Sequence, residues 1–300
     1  MLALLRFAYA PLFFFGFIGA ATAWMAGGGA SAWLLPLFGV AVPIAFTVEA
    51  ILPYDADWNR DHGDRGRDWV HAVVNEALNV LALAAIPLLA LLLPSPSWWP
   101  SSWPFWAQVT FAIVVADLGI TLAHAASHRW RFLWRLHAVH HSIRRMYGFN
   151  GLMKHPLHQA VEATAGVLPL LLFGMPADVA AVLAFAIAIQ LLLQHGNVDM
   201  RSWPADRVFA WAPLHRYHHM RYGKAGDVNF GLFLTLWDRL LGTAFDGRGY
   251  RLASADLGIG SRPDYPSAYL AQLVEPFRRQ IEVESPEPPP ELRRSRFNGF

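Results

Sequence analysis

Residues Asp117 to His141 read DLGITLAHAASHRWRFLWRLHAVHH, a stretch that carries five histidines within eighteen residues at the end of an apolar run. Residues four apart share one face of an α-helix, so His124 and His128 point the same way, and Asp117 falls about 20° from them two turns back. His137, His140 and His141 form an H-x-x-H-H arc at i, i+3 and i+4, and LHRYHH repeats that arc with His215, His218 and His219. Neutral imidazole is the commonest metal ligand. Two arcs facing the His124/His128 pair supply eight donors, more than one tetrahedral ion accepts, and this points to two metals. Ordinary surface polarity accounts for a lone histidine. It does not account for 13 histidines of which eight sit in three tight clusters.

Around these clusters the chain is apolar. Of 300 residues, 55% are hydrophobic and only 15% charged, which describes an integral membrane protein. The net charge is +2 and no basic stripe interleaved with aromatics lies outside the histidine region, so nucleic acid is not an expected partner. The absence of cysteine excludes disulfides, iron–sulfur ligation by this chain and a thiol nucleophile.

Six apolar segments follow from hydropathy: 3–25, 32–52, 71–93, 105–128, 159–173 and 177–195. The first is read as a transmembrane helix, being longer than a signal-peptide core. Glu49, near the end of the second, is expected to reach the membrane interface. His71, Asn75 and Asn79 recur every four residues on the third, as a polar stripe that must face protein or water, either in helix packing or lining an active site. LPSPSWWPSSWP (93–104) reads as an uncharged interfacial turn with an aromatic belt. Asp117, within the fourth segment, requires compensation: it either hydrogen-bonds a ligand imidazole, lines a cavity or ties a neighbouring helix. Arg129, Arg131, Arg135, Arg144 and Arg145, interleaved with Trp130, Phe132 and Trp134, read as contacts to anionic headgroups, with an acidic electron donor as a further partner. The fifth and sixth segments make a helical hairpin through GMPAD. Its first arm is short and contains Glu162, and its second returns His195 to the side of the boxes as a ninth ligand candidate. GLFLTLWDRLLG, too short and charged to span, is expected at the surface closing the metal site. Beyond Arg248 the composition turns polar, and EVESPEPPPELRRSRFNGF reads as a disordered tail.

The predicted architecture is therefore all-α and integral to the membrane: four long transmembrane helices plus a helical hairpin, with a cytosolic histidine-rich helical cap. Residues 1–114 form N-terminal membrane helices, 115–250 the histidine-box region and 251–300 a polar, partly disordered tail. With both termini on one side, all 24 Lys and Arg fall on that side, which the positive-inside rule makes cytoplasmic together with every histidine box. An arginine-dominated basic content favours a bacterial inner membrane.

HAASH (124–128), HAVHH (137–141) and HRYHH (215–219), with HHS (140–142), KHPLH (154–158), QHGN (194–197) and NFGLFLTLWDRLLGT (229–243), resemble the histidine boxes of the fatty acid hydroxylase/sterol desaturase superfamily over roughly residues 115–245. The box spacing is most similar to bacterial sterol desaturase family proteins and the alkylglycerol monooxygenase branch. Ligand type alone permits Zn, Fe, Cu or Ni; the resemblance implies two iron ions, with O₂ as co-substrate. It implies hydroxylation of a C–H bond in a fatty-acyl, sterol-like, ornithine-lipid or alkylglycerol substrate, or desaturation on the same centre. No flavin, haem or ferredoxin module is recognisable, so electrons come from a separate ferredoxin-, cytochrome- or pterin-type donor. A zinc-dependent membrane hydrolase is the alternative of another class. The metal ligands are then His124, His128, His137, His140, His141, His195, His215, His218 and His219, with His155 and His158 less firmly assigned. Asp117, Asn150, Asn197, Asp227 and Asn229 are candidates for orienting them.

Overall fold

Apolar runs bounded by glycine, proline and charge become helices in the computed structural model, which describes residues 2–92 and 98–293. Leu2–Ala26 (α1), Leu34–Ile51 (α2), Arg65–Leu92 (α3) and Phe105–Arg129 (α4) are the long helices, and Arg131–His141 (α5) follows α4 after an extended residue at Trp130. Pro156–Leu172 (α6) and Ala177–His195 (α7) form the hairpin. Its turn passes through Gly174 at φ 91°, a left-handed conformation that glycine adopts without steric cost. Four short helices complete the chain: Ala212–His215 (α8), Leu236–Leu241 (α9), Tyr269–Val274 (α10) and Pro290–Arg293 (α11). Among the described residues there is no β-strand, only isolated bridges.

Among the described residues, five helical segments are long and apolar enough to cross a membrane: Leu2–Ala26, Ser31–Ile51, Arg65–Ile86, Phe105–Arg129 and Ala177–His195. The chain is an all-α, multi-pass integral membrane protein. With 17 residues, α6 is shorter than the ~20 a square crossing needs, as its charged, abbreviated sequence indicated. The hub is α7, buried at 14 of its 19 residues against α1, α2 and α4. Close packing of α4 on α6 depends on small residues, because a Cβ at Gly119 would stand 2.1 Å from the Ala165 carbonyl oxygen.

Several polar residues settle differently from the sequence reading. Glu49 does not reach the interface. It is 3% exposed and accepts from the backbone N–H of Gly148 (2.9 Å) and Asn197 (3.2 Å), joining the loops after α5 and α7. Arg145 is likewise no headgroup contact: it is buried, paired with Asp64 at 2.8 Å and donating to the Trp58 carbonyl. Arg129, Arg131 and Arg144 do stay exposed beside Trp130 and Phe132. Along α3, His71 bonds Gln272 (2.9 Å), Asn75 donates to the Leu152 and Lys154 carbonyls, and Asn79 meets Gln159. The aromatic turn is only partly visible, since 93–97 lie outside the described residues; Trp99 is buried and donates to Gln108, while Trp98 and Trp103 are exposed.

The largest departure is the C-terminal segment, where polar composition suggested a tail. Leu257, Ile259 and Tyr265 pack with Trp58, Val139 and Ile143 on the outer side of α5, and Leu292 packs with Tyr217 and Phe245. Val283 donates its N–H to the Ser261 carbonyl at 2.9 Å. These apolar residues are too widely and irregularly spaced to register as periodicity, and each finds its partner only in three dimensions. Residues 294–300 lie outside the described residues.

Replacing Glu49 by Leu should strand two buried N–H groups and lower the apparent Tm in detergent by about 5 °C or more. An unchanged melting midpoint would show that the two loops hold without it.

Candidate metal centre

Nine imidazoles converge between the ends of α4, α5 and α7 and the short α8. They form two groups whose donor nitrogens lie within 4.8 Å of one another: His124, His128, His137, His141 and His218 in the first, His140, His195, His215 and His219 in the second. The i, i+3, i+4 spacing on α5 splits between them, His137 and His141 serving one group and His140 the other. The second box achieves the same division by an α-turn that tightens into a 3₁₀ turn at Arg216–His219. The groups adjoin, with the His141 and His219 rings 4.8 Å apart.

The outward-facing nitrogens fix how the inward ones point. The Nδ1 atoms of His124, His218 and His140 lie 2.9, 2.8 and 3.2 Å from the carbonyl oxygens of Phe230, Val228 and Met153, and His195 Nδ1 lies 3.1 Å from that of Leu191. A carbonyl only accepts, so each Nδ1 carries the proton and each Nε2 presents a lone pair. His124 Nε2 then faces His218 Nε2 at 2.8 Å, and His140 Nε2 faces His195 Nε2 at 3.3 Å, with no hydrogen available between them. Facing lone pairs at that distance repel. A cation between them reverses the sign, and metal–nitrogen bonds of about 2.0–2.1 Å in tetrahedral array separate nitrogens by about 3.3 Å. The donor set therefore fits metal ions. Burial, and after it the neighbouring imidazoles, hold His137, His140, His141, His215, His218 and His219 well below the usual imidazole range, so all are neutral donors at pH 7.

The segment that carries the Phe230 carbonyl is itself clamped. Asp117, 0% exposed, accepts from the N–H groups of Leu232, Phe233 and Leu234 and from Trp237 Nε1, all within 3.1 Å. Asp238 takes the N–H groups of Phe230 and Gly231, and Gln190 and Gln194 on α7 donate to the Gly231 and Leu232 carbonyls. The stretch 229–235 is thus an irregular loop held at every step, and it closes the site where a surface helix was expected; only Leu236–Leu241 is helical. Its Phe230 ring packs on those of His124, His128 and His218. Asp117 touches no imidazole and acts through this loop.

Of the other candidates, Asp227 meets His128 Nδ1 at 2.8 Å and orients it directly. Asn229, at φ 53°, ties Leu214 to Phe245 beside His215. Asn150 bonds Tyr147 and Asp68, and Asn197 bonds Asp55 and Asn59; neither reaches a histidine of the cluster. His155 stands apart, capping α6 through Leu157 N–H and meeting the Leu273 carbonyl. His158 bonds Ser127 at 2.9 Å and lies against the His137 ring, outside both donor groups. Gln190, Gln194 and Asp238 escaped the sequence reading as site residues, although the glutamines stand at i and i+4 immediately before His195.

Two spaces meet this centre. A cavity of about 330 Å³ between α3, α6 and α7 is apolar along most of its length. It shares Ile120, Lys154, Glu162, Leu191 and Leu232 with a small gap bounded by His124, His137, His140, His195 and His215. On another side, a cavity of about 250 Å³ lined by Trp134, Arg221, Lys224 and Asp227 reaches His128, His141 and His218.

Fold and site define a class: a multi-pass helical membrane protein with a buried polyhistidine centre that opens on an apolar cavity. The chain belongs to the fatty acid hydroxylase superfamily. Residues 109–243 match the fatty acid hydroxylase family model. The chain is 32% identical to ornithine lipid hydroxylase OlsE of Rhizobium tropici over 84% of its own length and 78% of that protein's. It is 28% identical to alkylglycerol monooxygenase of Danio rerio (48% of this chain, 31% of that one) and 29% identical to sphinganine C4-monooxygenase 2 of Arabidopsis thaliana (45% and 53%). No solved structure matches it.

Asp227→Ala should free the His128 ring and weaken metal binding by about 10–100-fold while the protein still folds. Asp117→Ala should cost metal and stability together, by about 3 kcal/mol or more, since it strands four buried donors. Competition with a coloured chelator and a detergent melt measure the two effects. A metal affinity unchanged in both variants would detach these carboxylates from the centre.

Proposed function

We propose that this protein is a di-iron lipid hydroxylase that inserts one oxygen atom of O₂ into a C–H bond of a membrane lipid. The observation that carries the reading is the meeting of nine imidazoles, five of them oriented by hydrogen bonds at Nδ1, with an apolar cavity between α3, α6 and α7. The relatives named above, which act on an ornithine lipid, alkylglycerols and sphinganine, support the lipid as substrate class. The nine histidines would hold two iron ions, one at the His124, His128, His137, His141 and His218 group and one at the His140, His195, His215 and His219 group. With O₂, two electrons and two protons, such a centre supplies the oxidising power to convert R–H into R–OH with release of water.

The chain's own residues set the conditions for that chemistry. The α3–α6–α7 cavity takes the lipid from the bilayer and presents one carbon at the gap beside His124, His137 and His140. Phe230 and the clamped 229–235 loop cover the centre and exclude bulk water. Electrons arrive from a separate donor. The exposed Arg129, Arg131 and Arg144 suit an acidic donor surface or anionic headgroups on the cytoplasmic face.

Purified from iron-supplemented cells, the protein should carry about two irons per chain, and His140→Ala or His218→Ala should lose metal and turnover together. Under ¹⁸O₂ with reductant, a lipid product should gain one labelled oxygen. Loss of two hydrogens without label would indicate desaturation. Full activity without oxygen, on zinc that iron does not replace, would make the protein a hydrolase.

A further inference from the structure

Residues 269–283, in the stretch whose polar composition suggested a tail, have two unlike sides. The inner side is bonded to three elements around the metal centre. Gln272, wholly buried, meets His71 on α3 at 2.9 Å and donates to the Oγ of Ser142, immediately after His141, at 3.0 Å. The Leu273 carbonyl meets His155 at the start of α6 (3.1 Å), and the Arg278 carbonyl accepts from Arg135 on α5. Glu275 is buried and paired with Arg262 at 2.7 Å. The outer side is apolar and bare. Leu270 is 73% exposed and Ile281 78%, and Val274, Phe277 and Val283 are exposed with them. Leu270, Val274 and Phe277 stand at i, i+4 and i+7 along α10 and the 3₁₀ turn at Glu275–Phe277 that extends it, so they share one face, opposite Gln272. An apolar surface of this kind on an otherwise well-bonded segment marks a contact with something other than water.

Position and charge say what covers it. His71 lies in the second turn of the membrane-crossing segment Arg65–Ile86, and His155 caps α6. The segment therefore docks at the level where α3 and α6 enter the bilayer, and at that level Val70 and Val73 on α3 and Leu157 on α6 are exposed apolar side chains that continue its outer face. Arg278 and Arg279 are exposed and form no ion pair among the described residues, and the bond from Arg135 sets them beside α5, whose Arg131 and Phe132 are exposed too. These arginines outweigh the exposed Glu282 and Glu284. Large apolar side chains flanked by unpaired arginines, at the end of a membrane helix, suit the boundary between acyl chains and anionic headgroups.

We propose that residues 269–283 are an in-plane membrane anchor, which inserts Leu270, Val274, Phe277 and Ile281 into the surface of a bilayer that contains anionic lipid and holds Arg278 and Arg279 against its headgroups. The inner bonds pass that contact on. Gln272 and Leu273 join α3 to α6 one helical turn beyond Asn75 and Gln159, which line the apolar cavity at its end beside the metal centre. The anchor thus ties the two helices that flank this end of the cavity to the membrane surface from which a lipid arrives.

The contact is independent of the reaction catalysed and is read without turnover. The chain has no cysteine, so single-cysteine variants of the full, metal-loaded protein carry one bimane label each. Leu270→Cys and Ile281→Cys probe the outer side, Leu81→Cys marks the exposed face of α3 in mid-span, and Glu287→Cys lies beyond the segment. In nanodiscs with about 30% phosphatidylglycerol, a lipid-borne nitroxide should quench the labels at 270 and 281 at least ~threefold more than the label at 287, as it does at 81, and a water-soluble nitroxide should do the reverse. Arg278→Gln together with Arg279→Gln should about halve lipid quenching at 281 with metal content unchanged, and so should omission of phosphatidylglycerol from the wild type. Aqueous quenching at 270 and 281 equal to that at 287 leaves the segment in water and overturns the anchor. Protection of both labels from both quenchers means that protein covers this face, a second copy or another chain, and overturns it as well. Lipid quenching that ignores both the arginine change and the lipid change overturns anionic headgroups as the partner.

Discussion

Nine nitrogen lone pairs brought together in a dry interior repel one another, and most of the cap is arranged to hold them there. Neutral imidazole can rotate or change tautomer to escape such crowding. For four of them escape is blocked from outside, because carbonyls of Phe230, Val228, Met153 and Leu191 each engage an Nδ1–H and leave Nε2 no choice but to face inward. Three of those four carbonyls belong to non-helical segments that have no ladder to keep them straight. For Phe230 the position comes from side chains: Asp117 and Asp238 collect the N–H groups of 230–234, and Gln190 and Gln194 take the Leu232 and Gly231 carbonyls from the other side.

This explains why a membrane helix carries a carboxylate in its apolar body. An aspartate at mid-helix costs about 2.5–3.5 kcal/mol on insertion scales. Hydrogen bonds to a charged acceptor contribute about 1.5–3 kcal/mol each, and Asp117 makes four. The sum exceeds the penalty, but only after the 229–237 segment has folded against α4. Asp117 therefore couples closure of the cap to burial of the membrane helix, and a chain with the cap undocked leaves that charge uncompensated. Glu49 acts in the same way just beyond the C-terminal end of the hub helix, joining the loops after α5 and α7.

What the sequence reveals and what it hides follow from range. Helix periodicity and i, i+3, i+4 spacing are local, so the membrane helices, the short hairpin arm and the three histidine boxes are legible in the chain itself. Sorting the nine histidines into groups of five and four is not local: His140 leaves its neighbours His137 and His141 because α5 sits between α4 and α7. Glu49 and Arg145 look like interfacial charges because their partners Gly148, Asn197 and Asp64 are remote in sequence. The segment 251–293 looks like a tail because its few apolar residues, Leu257, Ile259 and Leu292 among them, have no regular period, and only the surface of the cap gives them somewhere to go.

The two spaces that reach the centre differ in the medium they connect to. The α3–α6–α7 cavity is bounded by membrane helices and touches the histidines through Ile120, Lys154, Glu162, Leu191 and Leu232. The other opening is polar, framed by Arg221, Lys224 and Asp227, and meets His128, His141 and His218. Among the histidines the two share none. A centre that must receive an apolar chain and water-borne partners gains from such separation, because neither route has to pass the other's lining. The Lys154–Glu162 pair fits that division: at the neck of the apolar route, where both residues line the cavity and the gap, the pair adds no net charge. Wetting of the centre from the bilayer side is then opposed by apolar walls along most of the cavity, while Asp227, 40% exposed in its side chain, leaves His128 within one hydrogen bond of solvent.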